Sequence, residues 1–174
     1  DFWAPGLKAE FEKQGLTEKG QEMIRKMERL GMIVDVAHAS PRTLDDVLAI
    51  ATKPVVVSHT GVKGTCDNNR NLTDDQMRRI AVTGGVIGIG YWDTAVCGED
   101  TRAIAKAISY ACSIVGADHV GLGSDFDGAV KVPFDTSGVA FVTDALIAEG
   151  FSDEDIAKVM GGNVERVLSM NLPD

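Results

Sequence analysis

Little in this chain points to a phosphate-rich partner or a membrane. Lys and Arg number 17 against 26 Asp and Glu, for a formal net charge of −9, whereas nucleic-acid binders present clustered positive charge. Arg25, Lys26 and Arg29 do cluster, but they are interleaved with acids, which reads as a solvated helix face. No run approaches the eighteen or so unbroken apolar residues of a membrane span. The three cysteines, Cys66, Cys97 and Cys112, are too few and too scattered for a disulfide scaffold or a zinc knuckle. Composition therefore leaves the compartment open. No low-complexity segment or sequence repeat stands out. The first residue is Asp1 and no signal-like apolar run follows, which reads as a processed, trimmed or split chain.

What is present is a rhythm of strands and helices. Four short apolar runs occur at 32–38 (MIVDVAH), 54–59 (PVVVSH), 85–91 (GVIGIGY) and 120–125 (VGLGSD). They are nearly continuous in hydrophobicity, the pattern of parallel strands buried on both faces. Amphipathic helices alternate with them. The helix opening near Thr17 places Met23, Ile24, Met27 and Leu30 on one stripe. The next opens at Ser40 with Pro41 in its first turn. A capping box of Thr73 and Gln76 starts the third, and a fourth spans about 100–115. Three more helices are expected near 139–148, after Ser152, and after Asn163 as a cap. This alternation implies right-handed βαβ units and a parallel sheet in an α/β fold. A complete (β/α)8 TIM-type barrel needs about 250 residues. Four units, entered through a loop-like segment at residues 1–16, favour half a barrel, a single partial domain over 1–174.

In such folds the functional face is the carboxyl end of the strands. His38 and His59 end consecutive runs, and Asp125 ends the fourth. Neighbouring parallel strands lie about 5 Å apart, so two imidazoles in register suit one shared cation, and histidines with carboxylates are a normal zinc set. A hydrogen-bonded structural role is the alternative for each histidine, and a turn or helix cap is the alternative for Asp125. His119 starts the fourth run, about 20 Å from Asp125, and reads as structural. Asp35 has odd parity relative to His38 and is expected on the opposite face, in a buried hydrogen-bonding or ion-pair role. Asp127 reads as a turn former with Gly128. Arg70, in a loop after the second run, is either surface or a bidentate partner for a substrate carboxylate.

The series GLTEKGQEMIRKMERLGMIVDVAHAS, PVVVSHTG, Asn-Asn-Arg-Asn at 68–71, LGSDFDG and GGNVERVL runs in order from Gly15 to Leu172. It resembles the membrane (renal-type) dipeptidases and their bacterial relatives. The resemblance implies the C-terminal half of a metal-dependent hydrolase barrel. It also implies two zinc ions per complete site and hydrolysis of dipeptides with a free C-terminal carboxylate through a metal-bridging water, D-residues included at that position. By the same resemblance His38 and His59 hold one zinc, Asp125 handles the proton of the attacking water, and Arg70 engages the substrate carboxylate. Tyr91 and Trp92 are candidate pocket residues. The family's His-x-Asp pair, its bridging Glu and a further substrate-binding His all belong to the region upstream of this one. The N-terminal half of the barrel, covalent or as a second chain, is therefore the implied partner, and the 174-residue chain alone is expected to be inactive.

Mammalian relatives link the loops that match Cys66 and Cys97, so a disulfide is expected there. A bridge favours the bacterial periplasm or exterior, and free thiols favour the cytoplasm. Cys112, on the apolar stripe of a helix, is expected to remain a reduced thiol. Two alternatives differ in class: another amidohydrolase-type metal hydrolase on the same barrel, and a non-catalytic half-barrel module. A homo-oligomer is compatible with either.

Overall fold

The structure is a computed structural model that describes residues 14–172; residues 1–13 of the expected entry loop lie outside the described residues. Four strands, β1 (Val34–Asp35), β2 (Val55–Thr60), β3 (Val86–Ile89) and β4 (Val120–Leu122), form one sheet in the order β1-β2-β3-β4. Every pairing is parallel, with Val34 opposite Val55, Val56 opposite Val86, and Ile87 opposite Val120. Parallel neighbours cannot be joined by a tight hairpin, so a helix fills each connection. These are α2 (Pro41–Ile50), α3 (Asp74–Val82), and the pair α4 (Asp93–Val96) and α5 (Thr101–Val115). α1 (Glu18–Arg29) precedes the sheet, while α6 (Ala140–Ala148), α7 (Asp153–Ala157) and α8 (Asn163–Asn171) follow it.

The helices begin where side chains can satisfy their first amides. Thr17 accepts from Gly20, Ser40 from Thr43, Asp100 from Ala103 and Ser152 from Asp155. The capping box of Thr73 and Gln76 is reciprocal. Adjacent helices pack α1 on α2, α2 on α3, α3 on α5 and α5 on α6. Val55, Val57, Ile87, Ile89 and Val120 of the sheet meet Val47, Met77, Ile80, Ile104, Ile108 and Leu146 of this layer in one core. Burying each such side chain stabilises the fold by roughly 1.5–3 kcal/mol.

The strands are shorter than the apolar runs that contain them. β1 stops at Asp35 because its carboxylate turns back on the chain, accepting from Ala37 N at 3.0 Å and from Ser58 N of β2 at 3.1 Å. Val36 N still donates to Val56 O, and the chain turns at Ala37 and His38. Asp35 makes the hydrogen bonds expected of it but is exposed rather than buried, because the chain turns two residues after it and strand alternation no longer sets which way the side chains face. β2 is not buried evenly either: Val55 and Val57 are buried while Val56 and Ser58 are half-buried.

Two helical expectations also shift. Leu30 is 64 % exposed, and the inward position near the end of α1 belongs to Glu28. This buried carboxylate is fully engaged, accepting from Thr52 N and Oγ1 at 2.8 Å and from Lys53 N at 3.1 Å. Such partners are what make a buried charge tolerable. Asn163 is not a cap. α7 and α8 are separated by a kink at Gly161, whose backbone is non-helical, and the Asn163 amide donates to Ala117 O at 2.6 Å and Val120 O at 2.8 Å. It ties α8 to the entry of β4.

Candidate active site

The carboxyl end of the sheet gathers most of the residues that carry chemistry. His59 is the penultimate residue of β2, and His38 lies in the turn three residues past β1. Their Nε2 atoms face each other at 2.9 Å, with ring centroids 4.8 Å apart. Asp125 lies three residues past β4, at φ 57°, a left-handed conformation that Asp and Asn tolerate better than other side chains. That turn brings its Oδ2 to 4.0 Å from His59 Nε2. Burial lowers the pKa of His59; Asp125 opposes the shift, and Arg70 and His38 add to it. The net effect favours the neutral imidazole, the form that ligates a metal.

A zinc bound by two imidazoles at about 2.0–2.1 Å in tetrahedral geometry needs the two nitrogens about 3.3 Å apart. The 2.9 Å separation here is within a small rotation of that. His59 Nδ1 is 2.9 Å from Ser58 Oγ. With Nδ1–H donated to that hydroxyl, Nε2 keeps its lone pair, the arrangement usual for a ligating histidine. Two histidine donors thus fit a zinc ion. They do not complete its shell, because no group of three or more His, Cys, Asp or Glu among the described residues is placed to hold one ion.

Arg70 reaches the same end from the loop after β2. Its NH2 donates to His59 O at 2.7 Å and its NH1 to Thr60 Oγ1 at 3.3 Å. The guanidinium carbon lies 5.7 Å from the centroid of the Trp92 ring, within cation–π range. Trp92 in turn presents its ring to His59 at 5.9 Å. The other members of the Asn-Asn-Arg-Asn run explain the loop's shape. Buried Asn71 accepts from Gly61 N and donates to Cys66 O and Ala95 O, while Asn68 accepts from Arg70 N and donates to Thr94 O. Gly61 is obligatory, since a Cβ there would lie 1.9 Å from Ala95 O.

Cys66 and Cys97 form a disulfide, with Cα atoms 5.2 Å apart. It joins the Arg70 loop to the end of α4, one turn beyond Trp92. Cys112 is free, and burial pushes its thiol pKa up to about 12, so it is a poor nucleophile. Thiol titration in denaturant without reductant should therefore find one reactive thiol per chain, and three after reduction. Three before reduction would refute the bridge.

Tyr91 is placed differently from its neighbour Trp92. It is 1 % exposed and packs against Phe126 and Phe134 at centroid distances of 5.7 and 5.3 Å. Asp127 Oδ1 accepts from Ala129 N at 2.8 Å and shapes the turn with Gly128. His119 Nδ1 pairs with Gly85 O at 3.0 Å, at the opposite end of the sheet. Sequence reasoning missed Ser58, Asn68 and Asn71. Ser58 is the residue beside a strand-end histidine, and the asparagines flank Arg70. Polar residues at such spacing are the available signal.

The profile of the family described as Membrane dipeptidase (Peptidase family M19) matches residues 3–171. The chain is 35 % identical over 161 residues to a dipeptidase of Claviceps purpurea, covering 88 % of this chain and 38 % of that protein. It is 33 % identical over 162 residues to an uncharacterized dipeptidase of Schizosaccharomyces pombe, covering 88 % and 40 %. Among solved structures, a metallo peptidase from Rhodobacter sphaeroides, liganded with a phosphinate mimic of the dipeptide L-Ala-D-Ala, superposes with a TM-score of 0.85 at 27 % identity. That match covers 91 % of this chain and 48 % of the other. The chain thus spans less than half the length of each of these relatives. With its α/β fold, its parallel sheet and a match over nearly its whole length, the chain belongs to the membrane dipeptidase family, peptidase family M19.

Proposed function

We propose that this chain is the C-terminal half of a (β/α)8 barrel that works as a zinc-dependent dipeptidase once its N-terminal half is supplied, covalently or as a second chain. The observation that carries the reading is the convergence of His38, His59 and Asp125 at one end of the sheet, with Arg70 beside them. Two imidazoles without a third ligand need donors from elsewhere, and the missing half of the barrel is their natural source. In the complete site His38 and His59 hold one of two zinc ions. Zinc, when bound, polarises the scissile carbonyl and makes water more acidic. Asp125 takes the proton of the attacking water and returns it to the leaving amine. Arg70 presents guanidinium donors to the C-terminal carboxylate and so orients the peptide bond. The liganded Rhodobacter sphaeroides relative supports including a D-residue at the C-terminal position. The disulfide supports an oxidising compartment, such as the periplasm or exterior.

The test is to compare a dipeptide with its C-terminal amide, in protein that carries both halves. A dipeptidase of this kind prefers the free acid, and Arg70→Ala raises KM for the acid by about tenfold or more with a smaller change in kcat. Equal turnover of acid and amide, or an Arg70→Ala variant with unaltered KM, would favour an amidohydrolase-type enzyme acting on a different bond. No turnover of any dipeptide with both halves and zinc present would leave the non-catalytic module.

A further inference from the structure

Next to Asp125 the surface changes from polar to apolar. Phe126 follows that carboxylate directly, and the two share an open cleft with Val130, Val132 and Phe134, roughly 750 Å³ including its mouth. Phe126 is 36 % exposed, although its inner edge packs on Tyr91 and lies 6.4 Å from Phe134. Tyr91 is buried beneath both phenylalanines and serves as the base of the wall. Phe134 is seated by Gly138, where a Cβ would come within 2.6 Å of it. The wall is thus held in shape by ring packing, and no described residue covers its outer face. Two carboxylates, Asp125 and Asp135, are on the lining, and no Lys or Arg among the described residues is. Such a cleft repels an anionic side chain and gains by covering an apolar one.

We infer that this wall is a specificity subsite that receives an apolar side chain of the dipeptide, discriminating by hydrophobic contact with Phe126 and against acidic side chains. The inference rests on the dipeptidase reading, because the cleft acquires its meaning from Asp125 at its edge. Its occupant is the side chain of a residue flanking the bond that Asp125 serves. Phe126 acts by binding and touches no transferred proton.

The experiment uses protein carrying both halves, loaded with zinc, and two substrate series, Xaa-Gly and Gly-Xaa, with Xaa as Gly, Leu or Glu. The wild type is expected to favour Leu over both Gly and Glu in kcat/KM in one series, which identifies the position bound. Phe126→Ser should reduce the Leu-to-Gly ratio in that series about tenfold, the order expected for loss of apolar pocket contact. Phe126→Leu should retain most of the ratio. If Phe126→Ser does not fold, Val130→Ser, on the half-buried rim of the same wall, serves in its place. A wild type without preference for Leu in either series overturns the subsite, as does an unchanged ratio in a folded serine variant. Both results leave the dipeptidase reading intact. Failure to hydrolyse any member of either series overturns that reading, and the subsite falls with it.

Discussion

Replacing His38 or His59 with alanine is expected to weaken zinc binding by at least about 100-fold and to abolish measurable dipeptide turnover. Loss of a residue that merely orients a ligand typically costs 10–100-fold in affinity, and these two rings face each other directly, Nε2 to Nε2, at 2.9 Å. Neither substitution should unfold the chain. His38 lies in a turn outside the strands, and His59 is half-buried rather than part of the apolar core. Elemental analysis after equilibrium dialysis, on protein with both halves, separates metal loss from general damage, provided the thermal transition of the metal-free proteins is compared as well. Wild-type zinc stoichiometry and affinity in both variants would remove the two histidines from the metal site. They would then be a structural pair joined by a hydrogen bond.

Asp125→Asn is expected to lower kcat by about 10²- to 10⁴-fold, the usual cost of losing a general acid or base, while zinc content falls much less. The substitution is well suited to its position. Asn adopts the left-handed conformation that Asp125 occupies at φ 57° at least as readily as Asp, so the turn survives and only the carboxylate is changed. Alanine there would confuse the result by adding backbone strain. Steady-state kinetics with metal analysis on the same preparation checks the separation. Zinc lost in parallel with activity would recast Asp125 as a ligand, and unchanged kcat would exclude it from proton transfer.

The parallel order of the sheet was legible because each apolar run is bounded by a cap or a glycine that helices and turns require. Thr73 with Gln76 and Ser40 with Pro41 are clear instances. Strand ends were less legible, and the reason is local. In MIVDVAH nothing in the hydrophobic pattern distinguishes residues that continue the ladder from those that leave it. The decision is made by Asp35, whose carboxylate competes with the backbone for Ala37 N and for Ser58 N across the sheet. The same blindness affects VGLGSD, where the chain turns at Asp125. Both errors fall at the site, where backbone is bent away from regular structure to aim a side chain. The candidate residues themselves could be named, because histidines are scarce here and two fall at equivalent ends of neighbouring runs. Their supports, Ser58 in β2 and Asn68 and Asn71 in the loop, were signalled only by their places beside His59 and Arg70, since a polar residue looks the same in sequence whether it is solvated or holds another side chain in place.

Arg70 already donates two hydrogen bonds to β2, to His59 O and Thr60 Oγ1, while its guanidinium lies over the Trp92 ring. Of the five N–H donors of a guanidinium, three remain for an incoming group. A free arginine side chain gives up as much as about 2 kcal/mol of rotamer entropy when it is fixed. Here that loss is incurred when the protein folds, not when a carboxylate arrives. An anion docking on Arg70 therefore meets a receptor that is already rigid, and most of the ordering left to do is its own. Lysine, with three donors on a single nitrogen and no planar face, would keep only one donor for the ligand after making the same two bonds to the strand.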